Sequence, residues 1–224
     1  MIQFKDGFYA DVRTEDRYRT AISYKNGVPE EMKTRVEKRA FIRVYDGKMW
    51  YYASVTDLSN LQKTLDGLYS AATPNPAIAD DPIVKRFERN RDEVFRFKDC
   101  SVRDIPLAEK QALLLSYLPL LTEDKCVTMP QGLYLDRNSV FRFRSSLGAD
   151  VTYDYQTCGV SFSCSMTEGE KKFSGHWQKG GTKFDDVKGL EADIRAAVKE
   201  QAAFMRNSVP VEPGKYPVVL SPEA

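Results

Sequence analysis

The first 54 residues contain short runs in which hydrophobic and polar residues alternate. Such alternation is typical of strands that bury one face. It predicts strands at residues 8–13, 20–24, 28–36, 40–45 and 48–54. Asn26-Gly27 predicts a tight hairpin turn between two of these strands, because both residues tolerate positive φ, and Asp46-Gly47 predicts a second turn.

A helical spacing of apolar residues follows these strands. Thr56 or Asp57 can accept hydrogen bonds from the free N–H groups of a first helical turn, and Pro74 ends the pattern. Between them, apolar residues recur at intervals of three and four positions, namely Leu58, Leu61, Leu65, Leu68 and Ala72. This spacing predicts one helix packed on the first set of strands.

The chain after residue 82 is predicted to form a second set of helices and strands. The charged stretch 84–96 is interpreted mainly as a solvated helical face, and its end as a short strand at 94–97. Pro106 introduces a helix that Pro119 is expected to end early. Alternation then predicts an antiparallel meander with one solvated face, with strands at residues 139–144, 151–156, 160–166 and 172–177. A long helix at 186–206 and a short apolar strand near the end of the chain complete the pattern.

These elements predict an α+β fold with antiparallel or mixed β-sheets, each packed by helices, in two sheet-plus-helix units. We expect an N-terminal unit of hairpins plus a helix at residues 1–73 and a central α+β domain at 83–207. Three prolines would keep the linker between them, residues 74–82, extended. Residues 208–224 are expected to begin a further domain, because a domain rarely ends just after a strand has begun.

Composition and charge narrow the classes of partner. The chain has 224 residues and a formal net charge of +1, with basic and acidic residues interleaved along it. This balance gives no general attraction to polyanions, so neither a nucleic acid nor a membrane is expected as a partner. The four cysteines include no CxxC pair. We expect them to be free thiols, which indicates a reducing, cytoplasmic location.

Residues with catalytic chemistry are scarce. His176 is the only histidine, and alternation places it on the solvated face of its strand without a nearby nucleophile or orienting group. No catalytic residue and no metal ligand is predicted in this chain. The candidates for substrate binding are aromatic residues of one strand, Trp50, Tyr51 and Tyr52. One face of this run is expected to enter the core, and the other could line a peptide groove.

Three stretches together resemble the TldD/PmbA family of zinc metallopeptidases. Residues 9–54 are similar to the N-terminal signature of that family, with the Asn26-Gly27 hairpin, a strand containing Ile42-Arg43-Val44, and a return strand containing Trp50. Residues 145–148, Ser-Ser-Leu-Gly, and the alternating strands after them resemble the family's central domain. Residues 213–224 resemble the segment directly before the family's metal-binding helix.

The resemblance implies that the chain is the N-terminal, non-catalytic half of a zinc-dependent peptidase. The zinc ligands of the family lie in a His-Glu-x-x-x-His helix, which would follow Ala224 in a C-terminal domain that this chain lacks. We therefore expect no cofactor and no peptidase activity in the 224 residues themselves. Family members form homo- or heterodimers that enclose the active site and admit unfolded peptides, so this half would help to wall that chamber.

Two other interpretations remain open. The full-length protein could lack the metal motif and act as an inactive partner subunit of such a peptidase. Alternatively, the chain could be an unrelated α+β module for binding or scaffolding. The sequence that follows Ala224 separates the first interpretation from an active peptidase. Self-association of the isolated chain separates a half-protein from a complete module, because a half-protein exposes apolar surface.

Overall fold

One continuous sheet forms the centre of the fold. The computed structural model describes residues 2–220, and within them seven strands belong to this sheet. The strands are β1 (Tyr9–Lys25), β2 (Val28–Tyr45), β3 (Trp50–Val55), β4 (Arg91–Val94), β5 (Val127–Ser145), β6 (Asp150–Glu168) and β7 (Lys171–Gly181). The α-helices are α1 (Leu61–Ala71), α2 (Leu107–Leu121) and α3 (Glu191–Asn207).

The strand order is β3-β2-β1-β5-β6-β4, and β7 also pairs with β6. All pairings are antiparallel except that of β4 with β6. The predicted turn between β1 and β2 is confirmed, since Asn26 and Gly27 both have positive φ, 50° and 75°. This combination is typical of the two-residue hairpin turns whose twist matches that of the flanking strands.

The three α-helices lie on one face of the sheet. The alternating side chains of β1 show this, because its even-numbered residues contribute to both hydrophobic clusters beneath the helices. Ala10 and Val12 pack with α1, whereas Ile22 and Tyr24 belong to the cluster that includes residues of α2 and α3. We call this side of the sheet the helix face. Helix α1 therefore has one apolar cluster and helices α2 and α3 share another, both on the same sheet.

The α+β class is confirmed, and so is the packing of helices on antiparallel strands. The two sheet-plus-helix units are not separate sheets, however, because β1 of the first unit pairs with β5 of the second along residues 11–25 and 131–145. Residues 74–82, expected to be an extended linker, contain a 3-10 turn at Ile78–Asp80, and Ile78 packs against the cluster of Tyr9 and Tyr45. The domain boundaries themselves stay a prediction.

Several elements are longer than their predicted pieces. The runs 8–13 and 20–24 are parts of the single strand β1, and 28–36 and 40–45 are parts of β2. Likewise, 151–156 and 160–166 are both within β6, and β5 begins at Val127 rather than at residue 139. Pairing on both sides holds the polar intervening residues of β1, β5 and β6 in the sheet, which explains why a local pattern missed them.

Other predicted boundaries were wrong. Helix α1 begins at Leu61 rather than near residue 56, because Asp57 accepts hydrogen bonds from the backbone N–H and hydroxyl of Ser59 and forms a turn instead. Pro119 lies inside α2 and does not end it early. The stretch 84–96 forms a 3-10 turn at Val84–Arg86 and strand β4 rather than an α-helix.

The end of the described chain also differs from the prediction. The long helix begins at Glu191, after a 3-10 turn at Phe184–Val187. Residues 208–220 contain neither helix nor strand, so the apolar strand expected there is not formed within them. Residues 221–224 of the predicted continuation lie outside the described residues. No helix within residues 2–220 combines the length and apolar character that a membrane crossing requires.

The cysteines are free thiols, as predicted. Cys158 and Cys164 lie on the same side of β6, buried in one apolar cluster. Burial raises the pKa of the Cys158 thiol to about 11, and burial together with a hydrogen bond to Asp124 raises the pKa of Cys126 to the same range. Because the thiolate is the reactive form, these two side chains serve as apolar packing groups.

Candidate functional site

The side of the sheet opposite the helices is the candidate functional surface. It is formed by odd-numbered residues of β1, β5 and β6, by odd-numbered residues of β2 from Glu31 onward, and by even-numbered residues of β3 and β7. We call it the open face. At one end, residues of the segment 78–87 cover Tyr9, Tyr45 and Trp50. Beyond that end, most side chains of the open face are exposed or half-buried.

Glu15 lies at the centre of the open face and is only 5% exposed. Its carboxylate accepts hydrogen bonds from Arg17 Nε at 2.9 Å, Arg39 Nε at 2.6 Å and Arg137 Nη2 at 2.8 Å. The hydroxyl of Ser139 donates a further bond at 2.8 Å. These donors come from β1, β2 and β5, so one carboxylate ties together three adjacent strands of the sheet.

The surroundings of Glu15 favour its charged form. Burial by itself raises the pKa of this carboxyl group, but hydrogen bonds from Arg17, Ser139 and Arg39 outweigh burial and lower the pKa from 4.5 to about 2. Since hydrogen bonds and positive charges both stabilise a carboxylate, Glu15 is ionised at neutral pH. It acts as a fixed anion that orients guanidinium groups and is not placed to exchange protons there.

Aromatic rings surround this charged centre. The rings of Phe141 and Tyr153 stack with centroids 5.1 Å apart, and those of Phe41 and Tyr52 are 6.1 Å apart. The guanidinium of Arg13 lies 5.9 Å from the ring centroid of Phe143. Arginines interleaved with aromatic rings can bind both charged and apolar groups of a ligand.

A recess of about 860 Å³ lies where β3 ends. Its lining includes Arg13, Arg39, Phe41 and Phe141 from the open face, together with residues 54–57, where the chain turns away from the sheet. Beside it, β2 loses its outer neighbour, because β3 pairs only with residues 40–45. Within residues 2–220, the outer edge of β2 at residues 28–39 has no strand partner. The recess therefore lies at the start of a free strand edge.

The three predicted binding residues have different positions. Tyr51 packs against the apolar cluster under α1, and its hydroxyl donates a hydrogen bond to Asp46 at 3.2 Å. Trp50 faces the other way but is stacked on Tyr45 at 4.7 Å. Tyr52 is 68% exposed on the open face. The expected split between core and surface is thus present, and a role of Trp50, Tyr51 or Tyr52 in substrate binding stays a prediction.

Other chemistry-bearing residues lie apart from this centre. His176 is exposed on β7 opposite Ser163, as alternation predicted. Among residues 2–220, no three or more His, Cys, Asp or Glu side chains are grouped so that they could hold a metal ion. The residues present therefore do not fit a zinc site, and no zinc chemistry is assigned to them.

Sequence reasoning missed the arginine–glutamate centre. Residues 13–19, Arg-Thr-Glu-Asp-Arg-Tyr-Arg, contain charges at every odd position. This period of two is typical of a strand with a polar face, but so polar a run lacks the apolar positions of a half-buried strand, and the sequence therefore predicts two strands separated by a gap. The contributions of Arg39 and Arg137 depend on pairing across the sheet, and no local pattern encodes that pairing.

Comparisons with known proteins agree with this architecture. Residues 10–72 match the family described as PmbA/TldA metallopeptidase domain 1. Metalloprotease MJ0996 of Methanocaldococcus jannaschii is 21% identical over 220 residues, which are 97% of this chain and 49% of that protein.

Two solved structures share the fold. A putative modulator of a DNA gyrase from Thermotoga maritima has a TM-score of 0.69 at 16% identity, covering 91% of this chain and 46% of that one. TldE from Thermococcus kodakarensis has a TM-score of 0.64 at 13% identity, covering 92% and 46%. The chain spans about half the length of these relatives.

The matched first domain and the shared fold make the chain similar to the PmbA/TldA metallopeptidases. The similarity to the TldD/PmbA family rests on residues 10–72 for the family model and on nearly the whole chain for the fold.

Proposed function

We propose that this chain is the non-catalytic half of a TldD/PmbA-like zinc-dependent peptidase and that it admits unfolded peptides across the open face. The observation that carries this proposal is the contrast between the two sides of the sheet. Three helices cover one side, while the other side presents exposed aromatic rings, arginines and a free strand edge. A strand edge binds an extended chain through main-chain hydrogen bonds, whatever its sequence.

The proposal includes a dimer whose chamber this half helps to wall. Exposed aliphatic side chains support contact with further polypeptide. In the described part of the chain they include Val209, Val211, Val218, Val219 and Leu220, each at least 76% exposed. The dimer mate would be a second copy or another family member. Zinc would belong to residues other than those described, since none of them forms a suitable group of ligands.

Photo-cross-linking tests the proposed binding face. A benzophenone amino acid that replaces Tyr153 probes the open face, and one that replaces Leu115 probes the outer surface of α2. The two native side chains are similarly exposed, Tyr153 at 36% and Leu115 at 40%. The probe is lysozyme that has been reduced and carboxamidomethylated, compared with lysozyme whose disulfides are intact. We expect the Tyr153 variant to capture the unfolded form in preference to the folded form, and the Leu115 variant to capture neither.

Equal capture from both positions would contradict the proposal, because it would indicate non-specific adhesion. Absence of capture from Tyr153 would contradict it directly. Thermal unfolding of both variants, followed by circular dichroism, verifies that each retains the fold.

A further inference from the structure

Around Glu15, the open face carries more positive charge than this buried carboxylate neutralises. Among residues 2–220, Glu15 is the sole carboxylate within 4.0 Å of the guanidinium groups of Arg17, Arg39 and Arg137. Arg13 and Arg19 lie on the same face of β1, and neither has an ion pair within the described residues. The centre therefore combines five guanidinium groups with one buried carboxylate. The exposed carboxylates of Glu37 on β2 and Asp57 in the recess lining lie at its margin, so a net positive charge remains that can attract a further anion.

The guanidinium groups are held in place before any ligand arrives. Arg137 donates from Nη2 to Glu15 at 2.8 Å and from Nε to Ser139 Oγ at 2.9 Å. Arg39 directs Nε and Nη2 at the same carboxylate. Each guanidinium has five N–H donors, so donors remain for a second anion. Because an oriented fork loses little entropy on binding, these arginines are suited to a carboxylate ligand.

The recess places this charge beside the free edge of β2. Arg13 and Arg39 line the recess, and β2 is unpaired along its outer side from residue 39 back to residue 28 within the described chain. An extended peptide aligned with this edge would continue the line of β3. Alternate side chains of such a peptide would point to the open face, and the one nearest Arg39 would enter the recess.

The composition of the edge favours a charged partner. Residues 28–39 contain Pro29 and seven charged residues, features that discourage pairing with apolar strands. A nucleic acid would also be attracted by arginine, but it cannot use the main-chain donors and acceptors of a strand edge, and the net charge of the whole chain is only +1. The observations therefore favour a peptide ligand.

We propose that the recess binds an aspartate or glutamate side chain of an extended peptide that adds to the free edge of β2. The inference rests on the proposed function and specifies it, since it makes acidic segments the preferred ligands. The carboxylate would lie between Arg13 and Arg39, with the backbone of the peptide along residues 28–39 and its apolar groups against Phe41 and Phe141.

Peptide binding tests this inference on the whole 224-residue chain. The probes are fluorescent peptides of alternating threonine and glutamate or of alternating threonine and glutamine, acetylated and amidated at their ends, with affinity measured by anisotropy. We expect the glutamate peptide to bind about tenfold more tightly, because charge-assisted hydrogen bonds are stronger than neutral ones. Added salt is expected to weaken the binding of the glutamate peptide.

Arg13→Gln provides the sharpest variant, because Arg13 is exposed and outside the Glu15 hydrogen-bond network. We expect this variant to bind the glutamate peptide about tenfold more weakly and to bind the glutamine peptide with unchanged affinity. Lys199→Gln is the matched control, since it removes the same charge from an exposed position of α3. Its affinity for both peptides should equal that of the unmodified chain.

The other outcomes overturn the inference. Equal binding of both peptides would remove the preference for acidic side chains while leaving the proposed function intact. If neither peptide bound and the Tyr153 variant captured nothing, both the preference for acidic side chains and the proposed function would be contradicted. A glutamine peptide with a free terminal carboxylate that binds as tightly as the glutamate peptide would indicate recognition of a chain end. Tighter binding of oligothymidylate, weakened by Arg13→Gln, would indicate a nucleic-acid site.

Discussion

Replacing Asp136 with alanine is expected to destabilise the chain by about 3–5 kcal/mol, because it leaves a buried charge without its partner. Lys110 of α2 and Asp136 of β5 have completely buried side chains, and Lys110 Nζ lies 2.6 Å from Asp136 Oδ2. Lys110 Nζ also donates to the carbonyl oxygen of Val102 at 2.7 Å. Asp136 accepts from the backbone N–H of Thr20 and from the hydroxyl of Tyr134. The network therefore joins α2 to β1 and β5.

Urea unfolding followed by circular dichroism measures this loss. Asp150→Ala is the matched control, because Arg142 and Asp150 form an ion pair at 2.8 Å whose side chains are 50% and 40% exposed. Exposed pairs contribute about 0–1 kcal/mol, so the control should change the free energy of unfolding little. If Asp136→Ala lowered the free energy of unfolding as little as the control does, the conclusion that this network anchors α2 to the sheet would be contradicted.

Replacing Glu15 with glutamine is expected to destabilise the chain by about 2 kcal/mol, because three guanidinium groups would lose their shared carboxylate. The arginines are 22–46% exposed, so water screens their repulsion and keeps the loss below that at Asp136. Glu37→Gln is the control, since Glu37 is an exposed residue on the same face, opposite Arg17. It should change stability by less than about 0.5 kcal/mol.

The stability difference at Glu15 should depend on pH. The pKa of Glu15 is lowered in the folded chain from 4.5 to about 2, so its contribution is fully present above pH 4.5. The contribution is lost as the pH falls through about 2. The difference between the unmodified chain and Glu15→Gln should therefore shrink between these values. A difference that stays constant over this range would show that the stabilisation does not come from the ionised carboxylate.

Local patterns in the sequence predicted much of the fold. The Asn26-Gly27 turn, the helix that contains Leu61 and Leu65, and the meander around β6 and β7 all follow from periodicity and turn chemistry. The joining of both units in one sheet was not predictable in this way. β1 and β5 are separated by more than 100 residues, and no local pattern specifies which strands become neighbours.

Burial explains the errors at element boundaries. Pro119 lacks one helical N–H, yet α2 continues because Leu120 and Leu121 after it are buried in the core.

At the candidate site, the chemistry arises from strand pairing. Glu15 has no distinctive sequence motif, and its role follows from Arg39 and Arg137, which only the sheet brings near it. The aromatic candidates were visible in sequence because they are adjacent on one strand.

Hydrogen exchange tests the central claim most directly, namely that an extended peptide is received at the open face and its free edge. Backbone amide exchange of the chain would be followed by mass spectrometry with and without the unfolded lysozyme probe. We predict slower exchange in residues 28–39 of β2, where the peptide supplies new hydrogen bonds, and no change in α2 and α3. Protection confined to α2 and α3, or unchanged exchange in residues 28–39 when the probe is bound, would contradict the account.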